Sequence, residues 1–142
     1  MKVSARNVFK GPITALTDGA VNAEVELTLA GGDKIVAVVT EGSVKSLGLA
    51  VGMDVVAYVK APWVMVLTGA ANVRFSARNQ LSGTVIRLSK GAINSEVSIQ
   101  LAGGTAVYAV ITNEAVLELG LKEGVTATAL IKASHVILGI PA

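Results

Sequence analysis

Residues 4–7 read Ser-Ala-Arg-Asn, and residues 76–79 read Ser-Ala-Arg-Asn again, a shift of 72 positions. The same shift, without a gap, carries Leu29-Ala30-Gly31-Gly32 onto Leu101-Ala102-Gly103-Gly104. It also carries Lys60-Ala61 onto Lys132-Ala133 near the end of the chain. A repeat that stays in register over this length indicates two copies of one small module.

The repeat sets the expected domain organisation. We expect a first module over residues 1–68 and a second over residues 73–142, joined by the small-residue linker Thr68-Gly69-Ala70-Ala71-Asn72. A module this small buries only about 60% of its unfolded surface and is marginally stable alone. The composition is 52% hydrophobic and only 15% charged, against about 25% charged in typical soluble domains. A large interface between subunits would cover the excess apolar surface.

Several classes of protein are disfavoured by composition. No apolar run approaches the roughly 18–20 residues that a membrane helix needs, and residues 1–6 lack the apolar stretch of a signal peptide. We therefore expect a cytoplasmic protein with no membrane partner. The net charge is only +2 and the basic residues are scattered, whereas nucleic-acid binding usually requires a clustered basic face. We expect no nucleic-acid partner.

Alternation of apolar and polar residues predicts the strands. Residues 21–29 alternate with period two, which is typical of a half-buried strand. The glycines at residues 30–33 predict a hairpin turn before a returning strand, Lys34 to Thr40. The second copy repeats the pattern with strands at 93–101 and 106–112 around Gly103-Gly104.

Thr40 and Thr112 are placed as N-caps of short helices, because a threonine hydroxyl can accept a hydrogen bond from a free backbone N–H. Further strands are predicted after each helix at 55–60 and 127–132, and the apolar stretches 63–67 and 136–140 follow. Four or five short strands with one helix fit a small OB-type barrel. The sequence therefore predicts an all-β fold of two tandem OB-like five-stranded Greek-key barrels, each with one short helix.

A set of hydrogen-bond donors recurs at matched positions of the two copies. Its strand-end members are Ser4, Arg6, Asn7 and Lys60 in the first copy and Ser76, Arg78, Asn79 and Lys132 in the second. Its other members are Thr40, Ser43 and Thr112 at the helix starts and the turns that end at Asn22 and Asn94. Hydroxyls, amides, guanidinium and ammonium groups together suit an oxyanion. Each residue alone also has an ordinary structural interpretation, as a solvated strand end, a turn or a cap, so the recurrence of the whole set favours binding.

Other chemistries find little support in the chain. There is no cysteine and one histidine, and no paired carboxylates are present, so neither a site for a bare metal cation nor a catalytic group is expected. His135 stands where the first copy has Trp63. The module does not need it, and we expect it to fill a surface or edge position. We expect a protein that is not an enzyme and carries no redox cofactor.

These motifs resemble the molybdenum-pterin-binding (Mop) domain family. The marks are the Ser-Ala-Arg-Asn start, the Gly-Ala-Val-Asn turn at 19–22, the Thr-x-x-Ser helix start at 40–43 and the Val-Lys-Ala strand end at 59–61. The resemblance covers essentially the whole chain, and two copies in one chain are similar to the tandem cytoplasmic molybdate-binding members of the family. It implies OB-like barrels assembled as a homotrimer. It also implies molybdate or tungstate as the ligand, bound as an oxyanion between modules and subunits.

The resemblance further implies which residues bind. One module would supply Ser, Arg and the Lys-Ala pair, and neighbouring modules would supply the helix start and the backbone of the turn. Carried over, the first set is Ser4, Arg6, Lys60, Ala61, Thr40 and Ser43 with Ala20, Val21 and Asn22. The second set is Ser76, Arg78, Lys132, Ala133 and Thr112 with Ala92, Ile93 and Asn94. Ala115 replaces Ser43 in the second copy, so one implied site loses a hydroxyl.

The leading hypothesis is a non-enzymatic protein that stores or buffers molybdate or tungstate in the cytoplasm. The alternative is the ligand-sensing module of a molybdate-responsive regulatory system. The chain leaves no room for a helix-turn-helix, so we expect such a module to act on DNA through a partner. A nucleic-acid-binding OB barrel is disfavoured, since an aromatic content of 4% offers few stacking platforms.

Overall fold

Ten strands and two short α-helices make up the part of the chain that the computed structural model describes, residues 1–69 and 72–141. Ala70 and Ala71 of the predicted linker, and Ala142 at the end of the predicted second module, lie outside the described residues.

The two copies fold into the same order of elements. The first contains β1 (Asn7–Asp18), β2 (Asn22–Thr28), β3 (Lys34–Thr40), α1 (Glu41–Leu47), β4 (Asp54–Val59), a first 3-10 turn (Ala61–Trp63) and β5 (Met65–Leu67). The second contains β6 (Asn79–Lys90), β7 (Asn94–Leu101), β8 (Ala106–Thr112), α2 (Asn113–Glu118), β9 (Thr126–Ile131), a second 3-10 turn (Ala133–His135) and β10 (Ile137–Gly139). The predicted N-caps are confirmed, because Thr40 accepts from the Ser43 N–H and Thr112 from the Ala115 N–H.

The last strand of each copy completes the sheet of the other copy. One sheet has the order β10-β4-β1-β2-β3 and the second has the order β5-β9-β6-β7-β8. Ile137 on β10 lies opposite Tyr58 on β4, and Met65 on β5 lies opposite Leu130 on β9. The prediction of a mainly β fold with two five-stranded sheets is confirmed. The sequence-based expectation that each barrel uses only its own strands differs from the structure at this fifth strand.

A bulge in the first strand of each sheet lets the sheet curl. Along β1, residues 7–12 pair with β4 and residues 13–18 pair with β2, with the register shifting between Ile13 and Ala15. The equivalent shift in β6 lies between Val85 and Arg87. Because a bulge bends the strand and increases its twist, one strand can serve both halves of a curled sheet.

The apolar faces of both sheets meet in one core. The buried cluster includes Val25 and Ile35 from the first copy and Val97 and Ile99 from the second, all fully buried. A single core that runs through both copies explains how two small modules bury enough apolar surface to be stable.

The tips of the two β-hairpins touch each other. A Cβ placed on Gly31 would lie 1.9 Å from the carbonyl oxygen of Gly103, so a side chain has no room there. The Gly103 N–H also donates to the Asp33 carboxylate at 3.1 Å. The predicted turn role of these glycines is therefore only part of their function, because they also permit close approach of the two copies.

Asn7 and Asn79, predicted as oxyanion donors, instead join the two copies. The Asn79 amide accepts from the Val36 N–H at 2.7 Å and donates to the Val36 carbonyl at 2.8 Å and to the Ile131 carbonyl at 3.2 Å. Asn7 accepts from the Tyr108 N–H and donates to its carbonyl at 2.7 and 2.8 Å. Both asparagines are at most 2% exposed, so their amides are occupied by backbone groups.

We expect Asn79→Ala to lower the free energy of unfolding by about 3 kcal/mol, because it leaves buried backbone groups of Val36 without partners. Denaturant unfolding followed by circular dichroism measures the change. Gln80→Ala is the matched control, because the Gln80 amide bonds only to exposed backbone, and it should change the value by less than about 0.5 kcal/mol. Equal effects of the two variants would contradict the structural role of Asn79.

Candidate functional site

Two clefts pair a serine of the repeated motif with the lysine at a strand end. The first Ser-Lys cleft, of about 200 Å³, contains Ser4 and Lys60 and is walled by Tyr58, Trp63 and Ile137. The second Ser-Lys cleft, of about 330 Å³, is larger. It contains Ser76 and Lys132 and is lined by Trp63, Met65, Phe75, Ala77, Leu130 and His135.

The exchange of strands builds these clefts. β10 of the second copy brings Ile137 to the wall of the first cleft, and β5 of the first copy brings Met65 to the wall of the second. Lys60 and Lys132 each stand at the residue where a strand gives way to a 3-10 turn. The following Ala61 and Ala133 are buried, while both lysines are exposed. Each cleft is therefore lined by a serine and a lysine of one copy and by an apolar side chain of the other copy.

A separate polar group lies at the start of α1. The Thr40 hydroxyl accepts from the Ser43 N–H at 3.1 Å and donates to the Ser43 hydroxyl at 2.9 Å, which leaves the Ser43 hydroxyl hydrogen free to donate. The turn before β2 is fixed beside it, because the Val21 carbonyl accepts from the Glu41 N–H at 2.9 Å. Asn22, Thr40 and Ser43 line a cleft of about 380 Å³ with Ser134 from the second copy. We name it the helix-start cleft.

The equivalent region of the second copy has fewer hydroxyls. Thr112 caps α2, but Ala115 has no hydroxyl to add. The position that matches Ser134 in the repeat is Pro62. The Asn113 amide instead donates to the Gly91 carbonyl and accepts from the Ser95 hydroxyl. The two copies are thus chemically unequal at their helix starts.

The two motif arginines are paired with the one acid that both copies repeat. Arg6 donates through Nε and one terminal nitrogen to Glu96 at 3.0 and 2.7 Å, and its guanidinium lies 4.5 Å from the centre of the Tyr108 ring. Arg78 forms an ion pair with Glu24. The hydrogen bond from Arg6 holds the pKa of Glu96 below its usual value and raises the pKa of Arg6. An incoming anion would compete with these carboxylates for the guanidinium groups.

The structure brings together only part of the predicted set. Ser4 lies with Lys60, Ser76 lies with Lys132, and Asn22 lies with Thr40 and Ser43. The helix-start cleft shares Ile137 with the first Ser-Lys cleft, but its polar residues Asn22, Thr40 and Ser43 do not line either Ser-Lys cleft. Ala20, Val21, Ala92 and Ile93 are exposed in their turns, with Val21 72% and Ile93 74% exposed, and Asn94 is exposed at the start of β7. The binding roles of these residues stay predictions.

Two lining residues were not among the predicted binding residues: Ser134 was not considered, and His135 was expected only to fill a surface or edge position. Both occupy positions where the copies differ, opposite Pro62 and Trp63 in the repeat. The signal in the sequence was this difference between the copies, whereas the predicted binding set was built from residues that match between them.

No helix within residues 1–69 and 72–141 is long and apolar enough to cross a membrane.

Comparisons with known proteins give consistent matches. A family model described as the TOBE domain matches residues 3–66 and again residues 76–138. The molybdenum-pterin-binding protein MopA of Rhodobacter capsulatus is 46% identical over 141 residues, which cover 99% of this chain and 53% of MopA. The molybdenum transport protein ModE of Azotobacter vinelandii is 44% identical over 140 residues, covering 99% of this chain and 52% of ModE. The chain thus spans about half the length of the curated relatives it matches.

A solved structure covers the whole chain. It is a crystal form, with molybdate bound, of the cytoplasmic molybdate-binding protein ModG. It is 59% identical to this chain, covers 99% of this chain and 100% of its own, and superposes with a TM-score of 0.95.

The Arg6–Glu96 ion pair predicts that the free energy of unfolding depends on pH in the acid range. Because the pKa of Glu96 is held below its ordinary value of 4.5 in the folded protein, the stabilisation is present above that value and is lost as the pH falls through the folded-state pKa. Between about pH 5 and 3, the free energy of unfolding should fall more steeply for the wild type than for Glu96→Gln. Near neutral pH the variant should lose at most about 1 kcal/mol, since the Arg6 side chain is 54% exposed.

Urea unfolding at a series of pH values measures this difference. Glu118→Gln, at an exposed position of α2, is the control and should follow the wild-type curve. Parallel curves for Glu96→Gln and the wild type would show that the ion pair contributes nothing.

Proposed function

The chain belongs to the TOBE domain family, as a tandem pair of the Mop type, and on that premise we propose that it binds molybdate or tungstate as an oxyanion without catalysing a reaction. The observation that carries the proposal is the pair of Ser-Lys clefts, which repeat one hydroxyl and one ammonium group in both copies. The 59% identity to ModG, which was crystallised with molybdate, supports the same ligand here.

The chemistry of the clefts suits a dianion. Removing an oxyanion from water is costly unless charge and hydrogen bonds replace its hydration. Each charge-assisted hydrogen bond contributes about 1.5–3 kcal/mol net. A handful of them would support micromolar affinity, about −8 kcal/mol, after the costs of association. We expect the spacing of donors at the strand ends also to set the size of the site, favouring a large tetrahedral anion over sulfate without separating molybdate from tungstate.

A complete site needs a second chain. In one chain the Ser-Lys clefts are open, and the helix-start donors Asn22, Thr40 and Ser43 line a different cleft, which shares only Ile137 with the first Ser-Lys cleft. Exposed apolar side chains accompany both kinds of cleft, with Ile137 60% exposed at the first Ser-Lys cleft and Val21 72% exposed beside the helix start. We propose that copies of the chain assemble, as a homotrimer, so that the helix-start cleft of one chain faces a Ser-Lys cleft of another.

Storage or buffering is the role that fits this arrangement. The serine and the lysine that line each Ser-Lys cleft can bind an anion by hydrogen bonds and charge alone. The description of ModG as cytoplasmic supports the same location for this chain. Release of the bound anion would then follow from the equilibrium between open clefts and the assembled sites.

A second candidate function is ligand sensing in a regulatory system. It is favoured by ModE of Azotobacter vinelandii, which matches 99% of this chain with only 52% of its own length. In this role the chain would read molybdate and pass the signal to a DNA-binding partner. Affinity capture with and without molybdate tests it, since recovery of one DNA-binding protein in only one condition would support sensing.

Lys60→Ala and Lys132→Ala should each weaken molybdate binding at one class of site by about ten- to hundredfold, because each removes the ammonium group of one Ser-Lys cleft. Isothermal titration calorimetry measures the affinities. Lys10→Ala, an exposed lysine on β1 outside both clefts, is the control and should bind as the wild type does. Binding unchanged in both cleft variants would place the anion elsewhere.

Molybdate should also stabilise the folded protein. At a ligand concentration about a hundred times the dissociation constant, each independent site adds about 2.7 kcal/mol. Differential scanning fluorimetry should show a higher melting temperature with molybdate or tungstate and little change with equimolar sulfate. Equal shifts with all three anions would contradict a size-selective site.

A further inference from the structure

His135 gives the second Ser-Lys cleft a group that the first lacks. It lies in the second 3-10 turn, at the position that Trp63 occupies in the first copy. The imidazole packs against the Trp63 ring, with centroids 5.1 Å apart and planes tilted by 41°. The ring of His135 is thereby held in the wall of the cleft that contains Ser76 and Lys132.

One nitrogen of this imidazole is buried in the protein. The His135 Nδ1 atom is buried, and none of the described residues hydrogen-bonds to it. In the neutral ring one nitrogen carries a proton and the other is an acceptor. A buried N–H without a partner is rarer in proteins than an under-satisfied acceptor, so the proton belongs on Nε2. The ring then turns a buried lone pair to the interior and an N–H to its other edge.

His135 lines a cleft whose other polar side chains can donate hydrogen bonds. Ser76 has a hydroxyl, and Lys132 is the one Lys, Arg, Asp or Glu among the described residues that line the cleft. The remaining wall is apolar, including Met65 and Phe75. No carboxylate lies among the described side chains that line the cleft, so a bound anion would be a stronger acceptor for an imidazole N–H than the Ser76 hydroxyl.

We propose that the Nε2–H of His135 is a further hydrogen-bond donor to the oxyanion held in the second Ser-Lys cleft. This inference rests on the proposed function. In the second Ser-Lys cleft the anion would contact a hydroxyl, an ammonium group and an imidazole. In the first Ser-Lys cleft, Ser4 and Lys60 are combined with the indole of Trp63. The two classes of site in one chain therefore differ in affinity.

Nuclear magnetic resonance tests the contact directly. His135 is the only histidine in the sequence, so the imidazole nitrogen signals of the ¹⁵N-labelled protein need no assignment. The free protein should show the tautomer protonated at Nε2. Addition of molybdate should shift the Nε2 resonance much more than that of Nδ1 and slow the exchange of the Nε2 proton. Nitrogen signals that do not respond to saturating molybdate would overturn the inference.

Affinity separates binding from a merely structural stack. His135→Phe keeps an aromatic ring against Trp63 and removes the N–H, and it should weaken molybdate binding at the second cleft by about three- to tenfold. His135→Gln keeps a side-chain N–H and should recover part of that loss. Both are measured by calorimetry in a Lys60→Ala background, where the first cleft is weakened, and thermal unfolding confirms that each variant folds.

The outcomes distinguish the two proposals. If the wild type binds no molybdate, the proposed function fails and this inference fails with it. If the wild type binds molybdate but His135→Phe binds equally well in the Lys60→Ala background, only the role of His135 is overturned. A loss in His135→Phe that His135→Gln does not relieve would also contradict it, because packing and not the N–H would then be responsible.

Discussion

Neither copy of the repeat can finish its own sheet, because its fifth strand hydrogen-bonds to the fourth strand of the other copy. This reciprocal exchange fixes the orientation of the two copies. The amides of Asn7 and Asn79 reinforce it by pairing with backbone groups of Tyr108 and Val36 across the joint. One continuous core follows, and stability becomes a property of the pair.

The same exchange decides where the polar groups lie. Each 3-10 turn carries the chain from a strand of its own copy into the sheet of the other, and Lys60 or Lys132 stands at the point of departure. The wall opposite each lysine then comes from the other copy. Each Ser-Lys cleft therefore combines a serine and a lysine of one copy with an apolar side chain of the other, Ile137 in the first cleft and Met65 in the second.

The sequence predicted the regular elements and not the joint. Period-two alternation and the caps at Thr40 and Thr112 depend on local physics, so they were readable along the chain. The exchanged strands Met65–Leu67 and Ile137–Gly139 are only three residues long. These strands pair through backbone groups, which every residue carries, so their amino-acid types do not identify the partner strand.

The sequence indicated the type of candidate site, but only some of the residues that form it. A repeated donor is expected both where two copies bind a ligand and where they bind each other, so the repeat could not separate Asn7 from Ser4. The recurrence of Glu24 and Glu96 was the available sign that the arginines have protein partners.

The central claim is that clefts of different chains together enclose an oxyanion. Anomalous diffraction at a molybdenum absorption edge, from crystals grown with molybdate, tests this claim most directly. We predict molybdenum peaks in contact with Lys60 or Lys132 and with the helix-start group of a second chain. Peaks absent from both Ser-Lys clefts would contradict the account.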